Sequence, residues 1–570
     1  MIRDGDGAAG AGRLFGVSLR RKEDHRFLTG AGRYVEDLRP PGLVHLAVVR
    51  SPHAHARIAG VDARGARGLP GVLAVYTVRE APELGHAVPP LFKEIAFRPH
   101  LHPIMAGDRA RHVGEAVALV AAEDPYVAAD AVDQVRVDYE PLPVAVLPVL
   151  PPAGSPALVH EGWPDNLAGS TRSAVGDVAR GFAAAHAVVE ARLHYPRVTG
   201  MPMETRGVLA SLDAVTGRLT VWTSTQVPFN VRSAVAAALG LPEDSVRVIA
   251  PDVGGGFGIK GHVYPEDVMV PAVARRLGRP VRWIETRREH LLTASGDRDQ
   301  THQARLGVAG DGTIVALETT FVRDHGAYPT LGDAITRNTI NHLVGPYRVP
   351  SYRAVGHNVV TNKTFNAAYR GAGRPEAAFV LDRLLDRAAR RIGLDPAELR
   401  RRNLVRPDEM PFATGLTYRD GVPIVYDPGD YVAALDETLG RLDYARWRRE
   451  QAARRGGPRP IGIGVSAYVE GTGIGPFEGA EVKVDPGGVV FVDIGVSGQG
   501  QAHETTLAQI AADQLAVPVE DVVVRGGDTD RVGFGMGTIA SRVAAVAGPA
   551  VARSAGEVAR KARLVAAEVF

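Results

Sequence analysis

Not one of the 570 residues is a cysteine. That absence removes disulfides, thiolate nucleophiles, thiolate zinc sites and cysteine-ligated iron–sulfur clusters from anything the chain can build. Stability must come from a buried core, and redox chemistry needs a bound cofactor and a partner. The core is within reach, because the hydrophobic share is 45% with 23% charged, near the globular average. The length suits about four ordinary domains or fewer large ones. Lys+Arg 66 against Asp+Glu 64 leaves +2, with no basic stripe, so neither nucleic acid nor an anionic membrane is indicated. No apolar run reaches the ~18 residues of a membrane span and the first residues lack a signal-peptide core. A cytoplasmic protein is expected.

The fold class expected is α+β. Short β-rich runs at 43–49, 72–78 and 116–121 alternate with a helical stretch at 126–135. The proline-dense segment 141–158 then forbids a helix or central strand and reads as an extended connector. The next region shows strands at 219–223, 246–250, 281–285 and 313–320, then a helix at 376–392. Its Ala377, Leu381, Leu384, Leu385, Ala388 and Ile392 form one stripe, and Gly393 is its stop. Asp395, Pro396 and Glu398 supply an N-cap, a first-turn proline and a capping-box acid for a helix at 396–403. One helix, 431–451, is expected in the connection that follows. A last region carries a strand at 489–496, a helix at 503–515 and a helix at 551–567 with no stop signal before Phe570, so the chain is expected to end inside a domain.

Four glycine-rich loops carry the functional signal: PDVGGGFGIKG (251–261), AAYRGAGRPEA (367–377), VSGQGQAHETT (496–506) and GDTDRVGFGMGTIASR (527–542). Strand–loop–helix geometry presents backbone N–H groups to an anion or polar cofactor, and glycine allows close approach. Each alone reads equally as a turn; four together favour a large cofactor. Gly256, Gly258 and Gly261, with Glu285 further on, also satisfy a dinucleotide fingerprint, so an NAD(P)-dependent dehydrogenase is an alternative. Against it, Pro251 to Gly255 separate the strand from the fingerprint. Ile259 rules out a Walker A loop. The pairs His53/His55 and His100/His102 have metal-ligand spacing without a nearby third ligand and are read as structural. Glu504 is read as a helix-dipole cap.

In this order the loops resemble the large, molybdopterin-binding subunit of the xanthine dehydrogenase, aldehyde oxidase and aerobic carbon monoxide dehydrogenase family. RRKEDHRFLTGAGRYVEDL (20–38), RSPHAHARI (50–58) and the segment 111–143 look like its α/β hammerhead domain. STQVPFNVR (224–232), GGGFGIK (254–260), AYRGAGRPEA (368–377) and GQGQAHET (498–505) look like its cofactor loops. The resemblance implies a hammerhead domain over 13–145, a linker over 146–158, and two elongated molybdopterin-binding domains over 159–405 and 430–570, the last incomplete.

It further implies molybdenum held by the dithiolene of a pyranopterin, in cytosine dinucleotide form, with no protein ligand to the metal. Gly255, Gly256, Phe257 and Gly258 would line the oxo side and Gln226 would hydrogen-bond an oxo group. Ala368, Tyr369, Arg370 and Gly371 would lie on the substrate side, with Gln226 and Arg370 as catalytic residues. Gln499, Gly500, Gln501, Ala502 and His503 would hold the pterin, and Thr538 and Ser541 its tail. The implied reaction inserts a water-derived oxygen at a C–H carbon of an aldehyde or N-heteroaromatic substrate. Electrons would leave through a 2Fe-2S small subunit and an FAD medium subunit in a dimer of heterotrimers.

Two departures stand out. Gly371 follows Arg370 where copper-containing carbon monoxide dehydrogenases carry a cysteine, so carbon monoxide oxidation is not expected. The family's general-base glutamate lies in a GVGE-like loop expected beyond Phe570. Glu115 follows Val113 and Gly114 but falls within the hammerhead pattern and does not take that role. A truncated, non-catalytic cofactor-binding fragment is therefore a second alternative.

Overall fold

The computed structural model describes residues 13–89, 97–98, 102–149, 157–418 and 420–570. The strand Val44–Arg50 buries Val44, Leu46 and Val48, as its alternation requires. Ala116–Ala122 is apolar and buried at every position, the mark of a strand covered on both faces. It pairs antiparallel with Val44–Arg50 on one side and with Val72–Tyr76 on the other.

This sheet continues past the connector. Val44 pairs with Val281 and His45 with Arg282, in parallel. The full order is Val246–Ile249, Leu219–Thr223, Gly207–Leu212, Val281–Ile284, Val44–Arg50, Ala116–Ala122 and Val72–Tyr76. Strands from both sides of the connector thus form one sheet. Helices Pro228–Leu239 and Glu266–Leu277 close it over a core that includes Val221, Val235, Val248 and Val273. The strand expected over 281–285 ends at Ile284, and Glu285 turns into a buried ion-pair network.

A five-stranded sheet runs Leu167–Val175, Tyr352–Val359, Ile314–Asp324, Gln300–Val308, Ala187–Tyr195. Helix Arg374–Ile392 lays Ala377, Leu381, Leu384, Leu385 and Ala388 into the core beneath it and stops at Gly393, φ 71°. Asp395 caps Pro396–Asn403 by accepting the Ala397 and Glu398 N–H groups. Glu398 does not close the expected capping box. It pairs with Arg401 and Arg402, whose guanidinium groups lie one turn on.

The last region packs strands Ala480–Val484, Val490–Ile494 and Val522–Gly526 against helices His503–Leu515 and Gly548–Val569. The single helix expected over 431–451 is two, Tyr431–Arg441 and Tyr444–Ala453. Asp443 separates them in the left-handed region, φ 52°, and caps the second through the Arg446 N–H, a role that favours aspartate. The N-terminal segment lies on this region. Thr505 accepts the Lys22 N–H at 2.8 Å, and Gln509 donates to the Leu14 and Val17 carbonyls.

Candidate cofactor site

Gln226 follows the strand Leu219–Thr223 and precedes the helix Pro228–Leu239, which fixes its backbone at a strand end. Its side chain is buried. The Oε1 accepts the Gly258 N–H at 2.9 Å, and the Nε2 donates to the Thr538 carbonyl at 2.7 Å. The Gln226 carbonyl also accepts the Thr538 N–H at 2.9 Å. One amide thereby joins the first glycine-rich loop to the fourth. An amide has two N–H donors, so one remains for a ligand.

The other two loops are tied to the same point. The Thr538 hydroxyl donates to the Ser497 carbonyl at 2.6 Å, and the Ser497 hydroxyl to the Thr225 carbonyl at 3.0 Å. Gln499 donates to the Ser497 carbonyl at 2.6 Å, and Gln501 donates to Gln499 at 2.8 Å. The Arg370 N–H donates to the Phe257 carbonyl at 2.9 Å. All four loops therefore meet. The exposed members include Phe257, Arg370, Gly498, Gly500, Gln501 and Ser541.

Two of the glycines are required by this closeness. A Cβ at Gly256 would lie 2.7 Å from Gln226 Oε1, and one at Gly258, φ 98°, would lie 2.5 Å from the Ala368 carbonyl oxygen. At Gly498 and Gly500 a Cβ would meet nothing within 4 Å, so that side of the junction is open.

The backbone of Tyr369 and Arg370 is held from behind by residues with no sequence motif. Asp297 accepts the Tyr369 N–H at 3.0 Å, and Arg298 donates to the Tyr369 carbonyl at 3.1 Å and the Arg370 carbonyl at 2.5 Å. Arg298 and the next residue, Asp299, both adopt positive φ, 69° and 53°. Such conformations cost on the order of 1–3 kcal/mol each, and the surrounding bonds must overcome that cost. Glu376 lies buried 3.6 Å from Arg298, and burial, with Asp297 nearby, pushes its carboxyl up to about 7. Lys260 is likewise buried; it pairs with Glu204 at 2.8 Å, and Glu204 also accepts the Gly254 N–H at 2.8 Å. Glu204, Asp297 and Arg298 escape sequence reasoning because nothing in their neighbours marks them.

The junction suits an anionic, polar cofactor. Helix His503–Leu515 begins after Ala502, φ 65°, with no side-chain cap, so its first N–H groups are left for an anion. His503 Nδ1 is buried without a partner, and burial lowers the imidazole to about 4, so the ring is neutral. Glu504 lies in the first turn of that helix, where it is expected to serve the dipole, and also pairs with Arg26 at 2.5 Å, while Arg26 reaches Asp252 at the same distance.

The dinucleotide alternative fails on geometry. Gly258 to Gly261 form a turn closed by the Gly261 N–H on the Gly258 carbonyl at 2.9 Å, and the next helix starts only at Glu266. Glu285 is buried against Arg206 and His290, at 2.5 and 2.9 Å, and cannot serve a ribose. His53 and His55 take different partners. His53 packs on Tyr139, His55 Nδ1 donates to the Pro143 carbonyl at 2.8 Å, His102 stacks on Tyr328, and His100 lies outside the described residues.

Residues 29–143 match the aldehyde oxidase and xanthine dehydrogenase a/b hammerhead domain, and residues 159–404 and 437–570 each match a molybdopterin cofactor-binding domain. The carbon monoxide dehydrogenase large chain of Hydrogenophaga pseudoflava is 36% identical, over 96% of this chain and 71% of that one. The chain belongs to this family of molybdenum oxidoreductase large subunits. Within the family, the nicotine 6-hydroxylase large subunit of Paenarthrobacter nicotinovorans is 36% identical, over 98% of this chain and 69% of the relative. The structure of quinoline 2-oxidoreductase from Pseudomonas putida 86 superposes with a TM-score of 0.88 at 38% identity, covering 95% of this chain and 70% of that one. As a molybdenum hydroxylase large subunit, the chain binds molybdopterin. No described helix is long and apolar enough to cross a membrane.

Proposed function

We propose that this subunit holds molybdopterin in its cytosine dinucleotide form and serves hydroxylation of an N-heteroaromatic ring carbon or an aldehyde, with water as the oxygen source. The observation that carries the reading is the linkage of all four glycine-rich loops, the first and fourth through Gln226 and the other two through Phe257 and Thr538, with an uncapped helix N-terminus and an unpartnered His503 Nδ1. When bound, the cofactor supplies oxygen transfer and accepts two electrons.

The chain's own residues bind and orient. Backbone groups of Gly255, Gly256, Phe257 and Gly258 would help hold the cofactor, and the remaining Gln226 N–H would be a donor to it. Ala368, Tyr369, Arg370 and Gly371 border the substrate, their backbone fixed by Asp297 and Arg298. Gln499, Gly500, Gln501, Ala502 and His503 receive the pterin and its phosphates, with Thr538 and Ser541 toward the tail. Glu115 is not the base, because it is buried beside His102 and His112, and its printed hydrogen bonds go to Tyr328 and Arg111, none of them in the four glycine-rich loops.

N-heteroaromatic substrates are favoured by the names of the nicotine and quinoline relatives. The carbon monoxide dehydrogenase relative is equally similar. This chain, however, has Gly371 after Arg370 and no thiolate with which to hold copper. Having no cysteine, the chain holds no cysteine-ligated iron–sulfur cluster of its own, and in this proposal electrons leave through an iron–sulfur subunit and then an FAD subunit, in a cytoplasmic dimer of heterotrimers.

The test is co-expression with iron–sulfur and flavin subunits, followed by molybdenum analysis, acid release of cytidine monophosphate, and turnover of quinoline, nicotine and an aromatic aldehyde in ¹⁸O-water. One molybdenum per chain, released nucleotide and labelled product are expected. Bound NAD without molybdenum, or unlabelled product, would sink the proposal.

A further inference from the structure

Away from the cofactor site, a small polar cavity lies where the first region meets the second. Its lining includes Arg50, His102, His112, Glu115, Tyr264 and Glu266. His102, His112 and Glu115 are buried, and each offers one ligand atom within 4.8 Å of the other two. They come from two turns, one before the strand Arg109–Ala110 and one between it and Ala116–Ala122, which only the fold brings together.

Each side chain is held in a ligand's posture. A backbone carbonyl can only accept, so the 2.9 Å contact of His112 Nδ1 with the Val113 carbonyl puts the proton on Nδ1 and the lone pair on Nε2. That Nε2 is buried and has no partner. An unmet polar group in the interior costs about 1–3 kcal/mol, so something is expected to accept the lone pair. Glu115 takes the Tyr328 O–H on one oxygen and the Arg111 N–H on the other, leaving a free lone pair on each. His102 stacks on the Tyr328 ring at 4.4 Å and 13°. The nearby Arg50 and Arg206 both pair with Glu266, at 3.0 and 2.9 Å, and its carboxylate offsets part of their repulsion on a cation.

We propose that His102, His112 and Glu115 bind a structural divalent transition-metal ion of the zinc class. Two imidazoles and one carboxylate suit zinc rather than calcium or magnesium, which prefer all-oxygen sets. The backbone bond to Nδ1 and the donors on Glu115 are the outer-shell contacts that orient such ligands. Tetrahedral bonds of about 2.1 Å place ligand atoms roughly 3.4 Å apart, so closure takes side-chain movement of about 1 Å, with water as fourth ligand. None of the four glycine-rich loops contributes, so the ion is distinct from the molybdenum. It would fasten the first region to Tyr328 of the second through Glu115.

The full chain, loaded with zinc and dialysed against a weak chelator, tests this by metal analysis and by anomalous diffraction at the zinc edge. One zinc per chain and an anomalous peak between the three residues are expected. H112Q and E115Q should each retain at least about tenfold less zinc, with molybdenum content unchanged. Cobalt loading of the unaltered protein should give the visible bands of a tetrahedral site, a readout independent of how the variants fold. A water at that position in the presence of excess zinc, or zinc retention by both variants equal to that of the unaltered protein, would overturn the proposal.

Discussion

Gln226 and Thr538, 312 residues apart, bond twice: the Gln226 amide donates to the Thr538 carbonyl at 2.7 Å, and the Thr538 N–H returns to the Gln226 carbonyl at 2.9 Å. The same side chain receives the Gly258 N–H. Gln226 is therefore both a fastener between two regions and the owner of a remaining donor at the junction.

Replacing Gln226 by leucine should lower turnover by roughly 10- to 1,000-fold, the scale of losing one preorganised donor. Because the fastening bonds go too, stability should also fall, so turnover is measured per molybdenum in the folded fraction. Unchanged turnover on that basis would leave Gln226 a fastener only.

Arg298 should tolerate no replacement. Arg298→Gln leaves Asp297 and Glu376 buried beside a missing charge, with an expected cost of about 3–5 kcal/mol in urea unfolding. Arg298→Lys should rescue little, since one ammonium cannot reproduce the planar fork that meets the Tyr369 and Arg370 carbonyls. A lysine variant of native stability and KM would contradict the clamp.

Glu376 sets a pH dependence. Its folded carboxyl is raised to about 7 by burial, above the unfolded value, so its contribution is complete below about pH 4.5 and is lost as pH rises through 7. Compared with Glu376→Gln, the unaltered protein should lose about 1–3 kcal/mol of stability between pH 5 and pH 7.5. Parallel stability–pH curves for the two would show that the carboxyl is already ionised at pH 5.

Ala502 holds a left-handed conformation, φ 65°, that glycine adopts without a Cβ penalty. Ala502→Gly should raise stability by about 1 kcal/mol with the first turn of helix His503–Leu515 intact. Calorimetry on both proteins decides it, and a lower melting temperature for the variant would mean that entropy outweighs the strain.

Legibility followed periodicity and glycine. The stripe Ala377–Ala388 and the stop at Gly393 fixed a helix to within two residues, and the four loops marked the junction where backbones approach closely. Strands such as Gln300–Val308 were missed because they bury polar side chains, Gln300 and His302, that break the apolar alternation. The break at Asp443 was hidden because a cap residue and a helix-interior residue look alike without geometry. Asp297, Arg298, Glu204 and Arg26 act through distances of tens to hundreds of residues along the chain, a relation that no local pattern encodes. His112 was invisible for the same reason: its partner His102 lies ten residues away, at no recognised ligand spacing.

The pairing of Val44 with Val281 also has a cost in time. A strand made early in synthesis waits for a neighbour on the order of 240 residues behind it, which at about 5–20 residues per second is roughly 12 to 48 seconds on the ribosome. Until then Val44–Arg50 has one open side, and an unpaired apolar edge is what aggregation and chaperones both recognise. The nascent protein therefore carries an unfinished sheet until Val281 has been made, and its yield in the cell should depend on chaperone supply more than on the stability of the finished fold.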